Sequence, residues 1–281
     1  MKIARVLLDG APRLCVVDDK AGTLRPLPPE ITRLQQVMDA PGFEPGAAIP
    51  LAGVTLLAPI LPNRNIFCVG KNYREHAKEF SQSGFEAGAS KDKHVDDYPA
   101  VFTKPASSVI GHDALVEMHP GVTDAVDYEA ELAVIIGKPG RNITPDNAWD
   151  HVWGYTIIND VTARDRQKNH KQWFLGKGLD TFCPMGPWAV TADEIDGANL
   201  DISCRVNGEL RQKANTGDLI FTIPMLIATL SAGLALEAGD VISTGTPAGV
   251  GIGFTPPRFL KAGDRVEVTI AGIGTLGNSF A

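Results

Sequence analysis

Residues 127–137 read DYEAELAVIIG, three acids at alternate positions running into an almost unbroken apolar stretch. In an extended strand, residues i, i+2 and i+4 project from one face. Asp127, Glu129 and Glu131 are therefore expected to crowd together, with Tyr128, Ala130 and Leu132 facing the other way. The apolar run takes this strand into the core, and the carboxylates enter with it. Carboxylates in such a setting repel one another and lose hydration, so they take up protons, pair with bases or bind a cation. Only Lys138 follows nearby, and the compensation has to come from elsewhere in the chain. A solvated edge strand with a negative face is the alternative, and spacing does not separate the two readings.

The 281 residues have room for one large domain, or an ordinary domain with a small appendage. A composition of 44% hydrophobic and 21% charged residues is that of a soluble globular protein. The net charge of -7 and pI near 5.4 argue against a nucleic-acid partner. No run of about 18 apolar residues suggests a membrane span. The N-terminus MKIARVLLDGAPR puts Asp9 where a signal peptide needs its apolar core. Cys15, Cys68, Cys183 and Cys204 are scattered, without a CxxC pair, and read as reduced thiols of a cytoplasmic protein.

Residues 1–60 carry short β-like runs (KIARVLL, RLCVVDD, GVTLLAP) broken by turn residues, and read as a small β-rich module before a larger domain at 61–281. NIFCVG is a short buried strand that runs into KNYREHAKEF, a short helix. The polar, Gly- and Ser-rich segment from about Ser81 to Tyr98 reads as a long loop, for which a lid is one usual reason. Thr144 and Pro145 open one helix, Thr222 and Pro224 another, and VTARDRQKNHKQW reads as a polar helix. Strands dominate and helices are few and short, so the expected class is α+β with a sheet-rich core.

A hard divalent cation wants oxygen ligands, and Mg²⁺ usually takes one or two carboxylates plus waters and substrate oxygens. Glu129 and Glu131 reach one ion from the same strand face. Asp160 ends the apolar run YTIIND, a usual place for a site residue on a sheet. In order along the chain, GKNYREHAKE, FTKP, DYEAELAVIIG, GYTIINDVTARDRQ, LGKGLDTFCPMGP, NTGDLIFTIP and STGTPAGVG resemble the motifs of the fumarylacetoacetate hydrolase superfamily. The resemblance covers roughly residues 61–280. It implies that family's sheet-rich fold, a mixed β-roll or sandwich with few short helices. It also implies a homodimer, Mg²⁺ or Mn²⁺ in the site, and small 2-keto or 1,3-diketo acids as substrates.

Carried over residue by residue, the metal motif falls on Glu129, Glu131 and Asp160, and the His-x-x-Glu dyad on His76 and Glu79. One helical turn brings His76 and Glu79 within hydrogen-bonding reach, and a carboxylate beside the imidazole suits a water-activating base. Lys177 of LGKG falls where the family stabilises a developing enolate. Gln167 and Thr246 fall on substrate-contacting positions, and Tyr73 and Lys104, within two of the motifs, are further substrate-binding candidates. Members that cleave fumarylacetoacetate carry another metal-binding Asp seven residues before the His. That position is Val69 here, which points away from fumarylacetoacetate itself.

The resemblance implies hydrolysis of a C–C bond in an acylpyruvate or related 2,4-diketo acid. Decarboxylation of oxaloacetate or another β-keto diacid, or keto–enol isomerisation, is the alternative, since the same residues would stabilise the same enolate. A binding protein that has kept the fold but lost the chemistry is disfavoured by the complete set of motifs.

Overall fold

The computed structural model describes residues 1–39, 42–85 and 96–281. Ten strands form the path of the main sheet, and two short strands pair beside it. At its centre, Ala130–Ile136 lies antiparallel between Val152–Asn159 and Val241–Ser243. All seven residues of Ala130–Ile136 are buried, because both faces of the strand are covered. Leu132, Val134 and Ile136 join the core shared with a second, four-stranded sheet (Asp201–Val206, Glu209–Asn215, Arg265–Ile270 and Gly274–Ser279). Ala133 and Ile135 join a smaller core on the opposite face. That double coverage explains the near-continuous apolar sequence.

The sheet-rich α+β class expected from the sequence is what the chain adopts. The longest described helices, Arg74–Gln82 and Ile223–Ser231, have nine residues each. Pro145–His151 forms a 3₁₀ turn held by reciprocal bonds between Thr144 and Asn147. The polar segment after Asp160 forms a two-residue strand, Thr162–Ala163, and then only a short helix, Arg164–His170. Of the expected lid, residues 86–95 lie outside the described residues. No described helix is long and apolar enough to cross a membrane.

The N-terminal strands do not stand apart from the rest. Lys2–Leu8 pairs antiparallel with Cys183–Thr191, with Lys2 opposite Val190 and Ile3 opposite Ala189. Ile3, Ala4, Val6 and Leu14 are buried in the two cores. Residues 1–59 thus cover an edge of the central sheet, which would otherwise present unpaired backbone groups and apolar surface to water. A fragment comprising residues 61–281 is expected to aggregate, or to melt well below the full chain. A soluble fragment with a cooperative transition at the full-length temperature, seen by circular dichroism, would overturn this.

Candidate active site

The antiparallel register assembles the site. Ala130 faces Asn159 and Glu131 faces Ile158, so the start of one strand meets the end of its neighbour. The Asp160 N–H donates to Glu129 O (2.8 Å) and the Glu129 N–H to Asn159 Oδ1 (3.0 Å), which fixes the two chain ends together. One carboxylate oxygen from each of Glu129, Glu131 and Asp160 then lies within 4.8 Å of the others, and all three residues are buried. On the other side of the central strand, Ser243 Oγ and the Gly245 N–H donate to Glu131 Oε2 at 2.6 and 3.0 Å.

Asp127 departs from the expected row of three. The chain leaves strand geometry at Tyr128 and Glu129, and Val126–Asp127 pairs with Thr162–Ala163 rather than with the main sheet. Strict alternation is lost there, and the Asp127 carboxylate turns to a different set of partners. It accepts from the N–H groups of Gly251 (2.6 Å), Tyr128 (2.9 Å) and Ile252 (3.1 Å) and from Arg164 Nε (2.9 Å).

The compensating cations come from three separate segments. Lys177 Nζ sits 2.7 Å from both Glu129 Oε2 and Asp160 Oδ2. Arg164 Nη2 lies 2.7 Å from Glu129 Oε1, while its Nη1 donates to Gln167 Oε1 at 3.2 Å. Lys104 Nζ donates to Asp160 Oδ1 (2.6 Å), to Val161 O (3.0 Å) and to the carbonyl of Lys177. Lys104, expected to bind substrate, is 0% exposed with three oxygens around its ammonium; it braces Asp160 and does not line the cleft that Lys177 and His76 share. Lys177 owes its position to Gly176: a Cβ there would lie 2.6 Å from the Gln167 nitrogen and 2.8 Å from the Ala163 oxygen.

His76 Nδ1 lies 3.1 Å from Glu79 Oε2, and the Gly249 N–H donates to Glu79 Oε1 at 3.0 Å. A carboxylate on Nδ1 favours the tautomer with its proton there and leaves Nε2 as the basic nitrogen. His76, Lys177, Gln167, Thr246, Arg164 and Glu129 share one narrow cleft. Val69, where some members of the resembled family have an acid, forms part of its wall. Thr246 Oγ1 already accepts from Gln212 Nε2 (2.8 Å), which leaves its own proton to donate. Tyr73, expected to bind substrate, does not line this cleft; it borders a separate groove with Arg74, Lys213 and Leu219.

Arg164, Gln212 and Ser243 escaped sequence reading. Arg164 is 1% exposed yet sits in a stretch so polar that it reads as a solvated helix. The available signal was the demand of the acids for a base, which no charge close in sequence met.

Burial pushes Glu131 well above the usual carboxylate range, and the nearby charges of Asp160 and Glu129 push it the same way. Burial also disfavours ionised Glu129, but Lys177 and Arg164 outweigh it and hold that group at about 2. Four buried carboxyl groups (Asp127, Glu129, Glu131, Asp160) stand against three buried bases (Lys104, Arg164, Lys177), so charge balances while Glu131 holds a proton and one negative charge is left over once that proton is lost. An all-oxygen donor set, a carboxyl proton that a cation can displace and an ammonium already drawn between two of the acids fit a hard divalent cation.

Below its raised pKa, Glu131 keeps a proton that a bound cation has to displace. Divalent-ion affinity is therefore expected to rise with pH, by up to about tenfold per unit, until that pKa is passed. Calorimetry in buffers of different ionisation enthalpy should show release of about one proton per ion. Affinity independent of pH would contradict a protonated Glu131. Glu131→Gln should raise the melting temperature of the metal-free protein at neutral pH and lose the gain that added Mg²⁺ gives the unmodified chain.

Residues 65–281 match the family described as fumarylacetoacetate (FAA) hydrolase C-terminal, and residues 1–59 one described as Rv2993c-like, N-terminal. The chain is 54% identical over 232 residues to oxaloacetate tautomerase YisK of Bacillus subtilis (strain 168), a match that spans 82% of this chain and 74% of that protein. The solved fumarylacetoacetate hydrolase of psychrophilic Exiguobacterium antarcticum has a TM-score of 0.86 and 46% identity, over 100% of this chain and 99% of its own. A maleylpyruvate hydrolase from Sphingobium sp. SYK-6, solved in complex with manganese(II) ion and pyruvate, has a TM-score of 0.76 and 33% identity, over 100% and 99%. Motif order, fold and likeness to these proteins lead to one conclusion: the chain belongs to the fumarylacetoacetate hydrolase family.

Proposed function

We propose that this protein is a divalent-metal-dependent enzyme that interconverts the keto and enol forms of oxaloacetate or a similarly small 2-keto diacid. The observation that carries this reading is the His76–Glu79 pair facing the same small cleft as Lys177 and the buried carboxylates. Its 54% identity to a protein named an oxaloacetate tautomerase supports the choice of substrate.

Mg²⁺ or Mn²⁺ held by Glu129, Glu131 and Asp160 would polarise the 2-keto oxygen and acidify the adjacent C3–H bonds. His76 Nε2 removes a proton from C3, and Glu79 stabilises the imidazolium so formed. The Lys177 ammonium faces the negative charge that gathers on the keto oxygen. Gln167 uses its carbonyl for Arg164, so its amide N–H groups are the end offered to a substrate carboxylate. The Thr246 hydroxyl offers the matching donor. The enolate oxygen takes a proton from solvent to complete the enol and His76 returns its own to solvent; in the reverse direction the enol O–H proton leaves to solvent and protonated His76 delivers a proton to C3.

Hydrolysis of an acylpyruvate is the second reading, supported by the solved relative named a maleylpyruvate hydrolase. There His76 would take its proton from water, which then attacks the distal carbonyl. Enol absorbance of oxaloacetate and pyruvate release from acetylpyruvate, each with and without Mg²⁺, separate the two. Metal-dependent acceleration of enol–keto equilibration is expected. Cleavage of acetylpyruvate with no effect on oxaloacetate tautomerisation would transfer the assignment to the hydrolase.

His76→Ala is expected to lower kcat for tautomerisation by ~10²–10⁴-fold, with Glu79→Gln following in the same direction and less steeply. Both should keep the wild-type melting temperature to within a few degrees. Undiminished kcat in His76→Ala would remove the imidazole from the proton transfer.

A further inference from the structure

Tyr128 stands between two acids of the central motif and has a task that neither acid performs. It is 0% exposed, and its hydroxyl donates to the Gly249 carbonyl at 2.8 Å. The N–H of the same Gly249 reaches back to Glu79, 3.0 Å from Oε1 and 3.3 Å from Oε2. Glu79 in turn holds His76 Nδ1. Among the described residues, this backbone N–H is the one hydrogen-bond donor to Glu79 besides His76.

Gly249 needs such a restraint. Its φ of +102° lies in the region that favours glycine, and a Cβ would drive into the Arg211 carbonyl. A glycine has many other conformations open to it, so the direction of its N–H is set by what holds its neighbours. Asp127 pins the loop two residues later, through the N–H groups of Gly251 and Ile252. Tyr128 pins Gly249 itself. Glu79 has an exposed fraction of 15% at its side chain, and so depends on this N–H to resist swinging into water.

We propose that Tyr128 is a positioning residue for the base: its hydroxyl fixes Gly249, whose N–H keeps Glu79 on His76 Nδ1 and so keeps Nε2 free to accept a proton. The kinetic side of this inference rests on His76 acting as the base, and the structural side does not. Removing the hydroxyl leaves the packing of the ring intact and frees the Gly249 carbonyl, and rotation about the glycine's two backbone bonds then lets its N–H turn away from Glu79. Glu79 then shares its time between His76 and solvent, and both imidazole tautomers become populated.

Tyr128→Phe tests this in the full-length, Mg²⁺-loaded protein, at a temperature where circular dichroism shows the variant folded. About a tenfold loss of kcat is expected, with KM and Mg²⁺ affinity unchanged. In a Glu79→Gln background the same change should have almost no further effect, because the relay is already cut. Losses that multiply would overturn the relay. Nitrogen-15 spectra of His76 give a readout independent of turnover. Wild-type protein should show the proton on Nδ1 alone, and Tyr128→Phe a mixture of tautomers. An unchanged tautomer in Tyr128→Phe overturns the inference. Intact turnover in His76→Ala together with a changed tautomer would instead overturn the base assignment and leave the relay standing.

Discussion

Burying four carboxylates at the head of a sheet is the constraint on which the rest of this molecule depends. Asp127, Glu129, Glu131 and Asp160 are each at most 4% exposed. Unpaired, such charges would cost far more than a domain's net stability. Bases and backbone N–H groups from distant parts of the chain have to reach them, and these requirements explain much of the sequence between the strands. The glycines of STGTPAGVGIG let Gly245 and Gly251 present N–H groups to Glu131 and Asp127. In LGKG, Gly176 packs closely against the helix Arg164–His170 and so sets Lys177 beside Glu129 and Asp160. Lys104 braces Asp160 from beneath, at the end of the strand Ala100–Lys104.

The same constraint organises the surroundings of His76. Asn72, 0% exposed, donates to the carbonyls of Phe221 and Thr244 and accepts from the Phe221 N–H. One amide thereby ties the start of the His76 helix to the loop that carries Thr246 and to the helix beginning at Ile223. Motifs some 170 residues apart, such as Glu79 and Gly249, are held together by such bonds.

The two proposed reactions, tautomerisation and hydrolysis, would differ in what stands beside His76 Nε2, a substrate C–H bond or a water. The surrounding charges would serve either, because both gather negative charge on a keto oxygen. Selectivity therefore falls to the walls of the cleft, Val69, Phe80 and Trp173 among them. Phe80 and Trp173 meet edge to face at 6.0 Å and narrow the space above the carboxylates. A family with one charge constellation can change its reaction by altering such walls.

The sequence by itself indicated the central strand and the carboxylates at its head, since an apolar run that continues an acidic alternation leads toward the core, while the covering of both its faces was decided by the fold. It also contained the His76–Glu79 pair, because three residues apart on a helix is a local distance. Tertiary structure alone decided which acids cooperate. Asp127 looked equivalent to Glu129 and Glu131 by parity, but the chain leaves strand geometry at Tyr128–Glu129 and hands Asp127 to Arg164 and the glycine loop. Lys104 and Tyr73 lay within recognisable motifs, yet burial put one beneath Asp160 and the other beside a separate groove. Arg164 was invisible for the converse reason. A buried arginine and a solvated one have the same local sequence, and only the antiparallel register, which no local pattern encodes, placed it against Glu129.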